Sequence, residues 1–263
     1  MVNSHMLYQL SYRGVKFVTG KILPYKADFF KHLYIPIAWR GITDYNITMI
    51  NWYAVKKELL QREGINAIKD PEQKRVISVY AENCLNKARH LAKTKASFVE
   101  KDISCLSKIS AGKKIRSYIK NAEKICAFVV TIGSKLENEA SRLMKENDQL
   151  SGYLLDRIGS FAVENLAEDF EDKLRKKYAA KKKSVSGRFS PGYCDWPTSA
   201  QSKLSKLIGF GKAGIKLTKS CMMVPKKSIS SIVAIGPGSL FSKRKSQCSI
   251  CDMNDCNYRR VKR

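Results

Sequence analysis

The feature that most constrains this chain is an almost uninterrupted apolar run near its middle. The segment from Ile125 to Ile132 reads Ile-Cys-Ala-Phe-Val-Val-Thr-Ile and is rich in β-branched residues. A strand that is apolar at both odd and even positions is buried on both of its faces. The run therefore predicts a central strand of a sheet.

Helices are predicted before and after this strand. Asp70 and Pro71 form a helix start, because the aspartate can cap the first turn and proline suits the first helical position. From Leu150 a long helix carries apolar residues at spacings of three and four, and its small residue Gly159 indicates close approach by a neighbour. Further strands are predicted at 96–103 and 229–235, and further helices at 113–122 and from 133 to about 147.

Composition narrows the class of protein. Lys and Arg number 49 against 23 Asp and Glu, which gives a net charge of +26, yet 44% of the residues are hydrophobic. This apolar content excludes a wholly disordered basic chain. No apolar run approaches the length of a membrane span, no signal peptide is legible, and the eight cysteines are dilute. We therefore expect a cytoplasmic protein in a reducing compartment.

Three parts of the chain are expected. Residues 1–60 show no clear period and are treated as an unassigned N-terminal appendage, residues 61–240 as the folded domain, and residues 241–263 as a Cys-rich basic tail.

Two ordered motifs carry a family resemblance. Arg188 opens the segment Arg-Phe-Ser-Pro-Gly-Tyr-Cys-Asp-Trp-Pro, and residues 217–230 read Leu-Thr-Lys-Ser-Cys-Met-Met-Val-Pro-Lys-Lys-Ser-Ile-Ser. Together with the helix at 158–168, they resemble the reactivation (activation) domain of cobalamin-dependent methionine synthase in a stand-alone form. The similarity covers roughly residues 64–263. It implies an α+β fold in which helices flank a twisted antiparallel sheet.

The resemblance also implies a function. Members of the family bind S-adenosylmethionine and support the reductive methylation of a corrinoid whose cobalt has reached the inactive +2 state. Carried over by position, Arg188 binds the methionine carboxylate, the backbone of Ser190 and Gly192 holds the adenosine, and Glu168 lies near the ammonium group. Tyr193 lines the pocket beside the corrinoid and is the candidate catalytic residue. An arginine fork does match a carboxylate in bidentate geometry.

The sequence also indicates which partner proteins are needed. No Asp-x-His-x-x-Gly corrinoid signature occurs in the chain, so the cobalamin is expected on a separate methionine synthase or corrinoid methyltransferase subunit. The high positive charge can steer an acidic electron donor such as a flavodoxin. A different class stays open: a basic nucleic-acid binding module with a small zinc knuckle, although no DNA- or RNA-binding motif is legible.

The C-terminal cysteines form a candidate metal site. Cys248, Cys251 and Cys256 have the spacing C-x2-C-x4-C, and C-x2-C places two thiolates on one metal through a tight turn. Zinc is the first expectation and an iron–sulfur cluster the second. A fourth ligand is open among Cys194, Cys221, Asp252 and Asp255. The alternative is that these are free cysteines in a frayed tail.

Overall fold

The computed structural model describes residues 49–242, 247–253 and 256. The helices are α1 (Trp52–Arg62), α2 (Pro71–Leu91), α3 (Lys113–Ile119), α4 (Lys135–Lys145), α5 (Gln149–Ala179) and α6 (Gln201–Ile208). The strands are β1 (Lys95–Asp102), β2 (Lys124–Thr131), β3 (Lys183–Val185), β4 (Lys216–Leu217), β5 (Met223–Val224) and β6 (Ser228–Pro237).

The main sheet has four strands in the order β1-β2-β6-β3, and every neighbouring pair is antiparallel. Strand β2 lies inside it, with Phe128 opposite Phe98 of β1 and Ser231 of β6. The predicted central strand is therefore confirmed, and so is the predicted fold class, an antiparallel sheet flanked by helices. Strands β4 and β5 form a separate two-stranded sheet.

Two apolar cores lie on the two faces of the main sheet. In β2, Phe128 belongs to the first core and Val129 to the second, because successive side chains of a strand point to opposite faces. The first core lies under α1, α2, α4 and α5, and the second under α3 and α6. Sandwiched in this way, β2 has almost no exposed side chain, which is why its sequence shows no polar alternation.

Helix α5 is the long helix that the apolar period predicted, and it packs closely on α4. A Cβ atom at Gly159 would lie 2.6 Å from Cδ2 of Leu136, so a larger residue would displace the Leu136 side chain. The expected close approach at Gly159 is thus present. The start of α2 is also as predicted, since the Asp70 side chain accepts a hydrogen bond from the backbone N–H of Glu72.

Two parts of the fold differ from the sequence expectations. Helix α1 falls largely within the expected appendage 1–60, but its Val55 and Leu59 are fully buried in the first core. The boundary drawn after residue 60 therefore cuts a helix that packs in the domain, while residues 1–48 lie outside the described residues. Strand β3 was not predicted. Over residues 49–242, no helix is both long and apolar enough to cross a membrane.

Candidate functional site

The first motif runs along the free edge of the sheet. Phe189 exchanges two backbone hydrogen bonds with Ile232 of β6, at N···O distances of 2.9 and 2.8 Å. Residues on either side of Phe189 therefore alternate as in a strand. Phe189 is buried in the second core, whereas Arg188 contacts α5 and the Ser190 hydroxyl lies 2.7 Å from that of Ser231.

A tight turn follows this edge segment. Proline at the second position and glycine with φ = 89° at the third are typical of a type II turn. The backbone N–H of Tyr193 donates to the carbonyl oxygen of Ser190, at 3.4 Å, and that of Gly192 donates to Trp196, at 2.8 Å. Because most side chains are strained at this φ, the turn requires Gly192. Tyr193 is left at the surface with 43% of its area exposed.

Two carboxylates of α5 hold the guanidinium of Arg188. Its Nη1 donates to Oε1 of Glu171 at 2.7 Å, and its Nη2 donates to a carboxylate oxygen of Glu164. The Glu171 side chain is fully buried and also accepts a hydrogen bond from Arg175. The Arg188 side chain is 14% exposed. The position of Arg188 is thus fixed by two carboxylates: Glu171, which is fully buried, and Glu164, which is more exposed.

A third carboxylate lies on the same stretch of α5. Glu164, Glu168 and Glu171 follow one another at spacings of four and three, which places them on one helix face. The pKa of Glu168 is raised, mainly because burial disfavours its charged form; Arg188 opposes this effect and the neighbouring glutamates reinforce it. Three acids of one helix face therefore lie near the Arg188 guanidinium, and two of them, Glu164 and Glu171, are bonded to it.

The sequence analysis named Arg188 and Glu168 as site residues but not Glu164 and Glu171, which the structure places beside Arg188. The signal was present in the helical spacing of the three acids. What was absent from the sequence is that the edge segment passes directly beside this helix face.

The far end of the loop is fixed against the second core. Asp195 accepts a hydrogen bond from the backbone N–H of Lys114 at 2.8 Å, so it caps the N-terminus of α3 from a distant part of the chain. A Cβ atom at Gly112 would lie 2.0 Å from Oδ1 of Asp195. Trp196 is 1% exposed and belongs to the second core. These contacts of Asp195 and Trp196 therefore fix the position of the loop on the domain.

The C-terminal segment lies against the same loop. The Ser190 N–H donates to Oε1 of Gln247 at 3.1 Å, and the Cys194 thiol lies 3.9 Å from the carbonyl oxygen of Ile250. Cys194 is also hydrogen-bonded to Cys251. Burial raises the pKa of Cys194 to about 11, the Asp195 backbone N–H opposes this, and Cys251 adds to it. The thiol is therefore protonated at neutral pH.

Of the cysteines expected to bind a metal, the structure brings Cys251 into contact with Cys194, a candidate fourth ligand. In the structure, Cys248, Cys251 and Cys256 are not joined in disulfides. Within the part of the chain that the structure describes, no three His, Cys, Asp or Glu side chains come close enough to hold a metal ion. Among the candidates for a fourth ligand, the Cys194 thiol contacts Cys251 of the tail, while Asp255 lies outside the described residues.

Comparisons with known proteins agree with this architecture. No curated protein matches the chain. A crystal structure of the MetH reactivation domain bound to AdoHcy is similar with a TM-score of 0.53 and 16% sequence identity, over 77% of this chain and 84% of that chain. At this identity the likeness concerns the fold. The family model described as vitamin B12 dependent methionine synthase, activation domain, matches residues 48–246.

That range begins just before α1 and includes the whole sheet, the edge segment and the loop. The chain therefore belongs to the activation-domain family of vitamin B12 dependent methionine synthases.

Proposed function

We propose that this chain binds S-adenosylmethionine between the Arg188 loop and the acidic face of α5. With the methyl group so held, it supports reductive methylation of a cobalt(II) corrinoid on a separate methionine synthase or corrinoid methyltransferase. The observation that carries the proposal is the position of Arg188. A buried carboxylate fixes its guanidinium on the same side of the edge segment as three glutamates, in a chain of the activation-domain family.

The charges of the ligand fit this arrangement. S-adenosylmethionine carries a carboxylate, an ammonium group and a sulfonium centre. The carboxylate would bind Arg188 by replacing Glu164, the more exposed of its two partners, while Glu171 keeps the guanidinium in place. Glu164 and Glu168 would then face the ammonium and sulfonium charges. At the turn, the N–H groups of Ser190 and Gly192 are engaged by Gln247 and Trp196. The adenosine would therefore be held by the carbonyl oxygens of Ser190 and Gly192, since a carbonyl oxygen can accept two hydrogen bonds.

The corrinoid is the methyl acceptor and approaches from outside. Tyr193 projects from the turn with 43% of its area exposed, so we place it beside a corrinoid presented by the partner protein. One external electron reduces cobalt(II) to cobalt(I). The cobalt(I) electron pair then attacks the methyl carbon, the carbon–sulfur bond breaks, and S-adenosylhomocysteine leaves with the bonding pair. The protein contributes by holding the methyl carbon in line with the attacking metal.

The electron donor is proposed from charge. A net charge of +26 attracts an acidic protein over long range and speeds its association, which suits a flavodoxin. We place the reaction in the cytoplasm, since the eight cysteines are dilute in the sequence and suit a reducing compartment.

Calorimetry with Arg188→Ala tests the binding site. We expect binding of S-adenosylmethionine to weaken by about 2 kcal/mol or more, roughly thirtyfold in Kd, because a charge-assisted pair is lost. Arg175→Ala is the matched control, since it removes the other arginine from Glu171 but lies outside the loop. Circular dichroism checks that both variants are folded. Unchanged affinity in folded Arg188→Ala, or an equal loss in Arg175→Ala, would contradict the assignment.

Two further measurements test the function. Titration with an oligonucleotide in place of S-adenosylmethionine should show no binding at physiological salt; binding of the oligonucleotide alone would favour a nucleic-acid module. In an optical assay, methylcobalamin should form from a cobalt(II) corrinoid protein, reductant and S-adenosylmethionine only when this chain is added. The same rate without it, or with Arg188 and Tyr193 both replaced by alanine, would refute the proposed function.

A further inference from the structure

The C-terminal segment is attached to the Arg188 loop by contacts from three different places. Gln247 accepts from the backbone of Ser190, Ile250 lies against Cys194, and Asp252 is paired with Lys114. Ile250 also packs against the second core. The segment is thus seated beside the loop, and this seating brings the Cys194 and Cys251 thiols into contact although 57 positions separate them.

Two more thiols are within reach of this pair. Cys248 lies in a short 3-10 helix, Gln247–Ser249, immediately before Cys251. Such a tight turn is what allows both cysteines of a C-x2-C motif to bind one ion. Cys256 follows Cys251 after five residues, which can span up to about 17 Å when extended. Chain length therefore does not prevent Cys256 from reaching the same point.

We propose that Cys194, Cys248, Cys251 and Cys256 bind one Zn²⁺ as a structural tetrathiolate site that fastens the C-terminal segment to the Arg188 loop. The four thiols release their protons as the ion binds. In the structure the Cys194–Cys251 pair is in contact, and binding of the ion would bring Cys248 and Cys256 to it. We choose Cys194 over Cys221 because Cys194 contacts Cys251 of the C-terminal segment, whereas the Cys221 thiol lies against the carbonyl oxygen of Ser199. The Asp252 carboxylate is engaged by Lys114.

The test uses the full chain purified without chelator under reducing, anaerobic conditions, and it does not require S-adenosylmethionine to bind. Elemental analysis should find about one zinc per chain in the parent protein and in Cys221→Ser, a matched control in which another partly exposed cysteine is replaced. In Cys194→Ser, competition with a chromophoric chelator should show zinc affinity reduced at least about tenfold. Replacement by Co²⁺ should give the intense absorption of a cobalt tetrathiolate.

A second readout concerns the loop itself. Removal of the metal should increase amide hydrogen exchange at residues 190–197 in the parent protein and leave α2 unchanged, because the site ties the tail to the loop alone. The proposal is overturned if no metal is found, if iron with a visible cluster spectrum replaces zinc, or if Cys194→Ser keeps the parent affinity. A Cys194–Cys251 disulfide in the anaerobic protein would overturn it as well.

Discussion

Replacing Gly112 by alanine tests whether the loop is fixed against the second core by close contact of two backbones. Gly112 has φ = −60° and ψ = 157°, which alanine adopts without strain. A Cβ atom there would nevertheless lie 2.0 Å from Oδ1 and 2.6 Å from the backbone oxygen of Asp195. The side chain of Asp195 can rotate away, but its backbone oxygen can move only with the loop.

The expected loss of stability has two parts. Displacing Asp195 removes the cap on the Lys114 N–H, which costs about 1 kcal/mol. Forcing the loop outward from a packed position costs about 1–3 kcal/mol more. Alanine also restricts the unfolded chain, which returns roughly 0.4–1 kcal/mol. The free energy of unfolding should therefore fall by about 2 kcal/mol, measured by urea denaturation.

The matched control is Gly211→Ala. A Cβ atom at Gly211 would meet nothing within 4 Å, so the same change of residue should leave the free energy of unfolding within about 1 kcal/mol of the parent value. Equal stability of Gly112→Ala and Gly211→Ala would show that Asp195 does not sit on Gly112, and the account of how the loop is positioned would be wrong.

Two further predictions concern packing and pH. Trp196→Ala should lower the free energy of unfolding by about 3–5 kcal/mol, and Trp196→Phe should lower it far less. The reason is that the buried indole N–H has no partner among the described residues, so its removal offsets the loss of ring size. Equal losses for the two variants in urea denaturation would contradict this. Hydrogen bonds from Arg142 and Lys87 lower the pKa of Glu139 to about 2. Since the folded pKa is depressed, Glu139 stabilises the fold above its unfolded pKa of about 4.3, and this contribution disappears as the pH falls towards 2. Glu139→Gln should therefore lower the free energy of unfolding by about 1 kcal/mol at neutral pH and by progressively less in acid. A difference from the parent protein that stays constant across this pH range would refute the reasoning.

Much of the sheet and of its flanking helices could be predicted because their signals are local. The apolar run in β2, the Asp70 cap and the small residue Gly159 each act within one element or one helix contact. Strand β3 escaped prediction because its residues, Lys-Ser-Val, continue a basic tract and become a strand only by pairing with the end of β6.

In the candidate site, too, features with a local sequence signal could be predicted, and features that depend on distant parts of the chain could not. The turn at Gly192 could be expected from Pro-Gly, which sets a turn by backbone preference alone. The contacts of Arg188 with Glu164 and Glu171 could not, because they depend on the edge segment passing beside α5. The position of Asp195 over Gly112 likewise depends on a backbone approach between residues 83 positions apart.

The edge segment that leads into the loop contains one residue more than the strand it faces. Val185 of β3 lies opposite Ile235 and Phe189 lies opposite Ile232, so four steps of the segment span three steps of β6. The extra residue forms a bulge at Ser186 and Gly187, and because of it Val185 packs in the first core while Phe189 packs in the second. Deletion of one residue from the bulge would leave a regular pairing with the same facing, with Phe189 in the second core and Arg188 beside α5. The site therefore tolerates the loss of this residue, so relatives of this chain can be one residue shorter here.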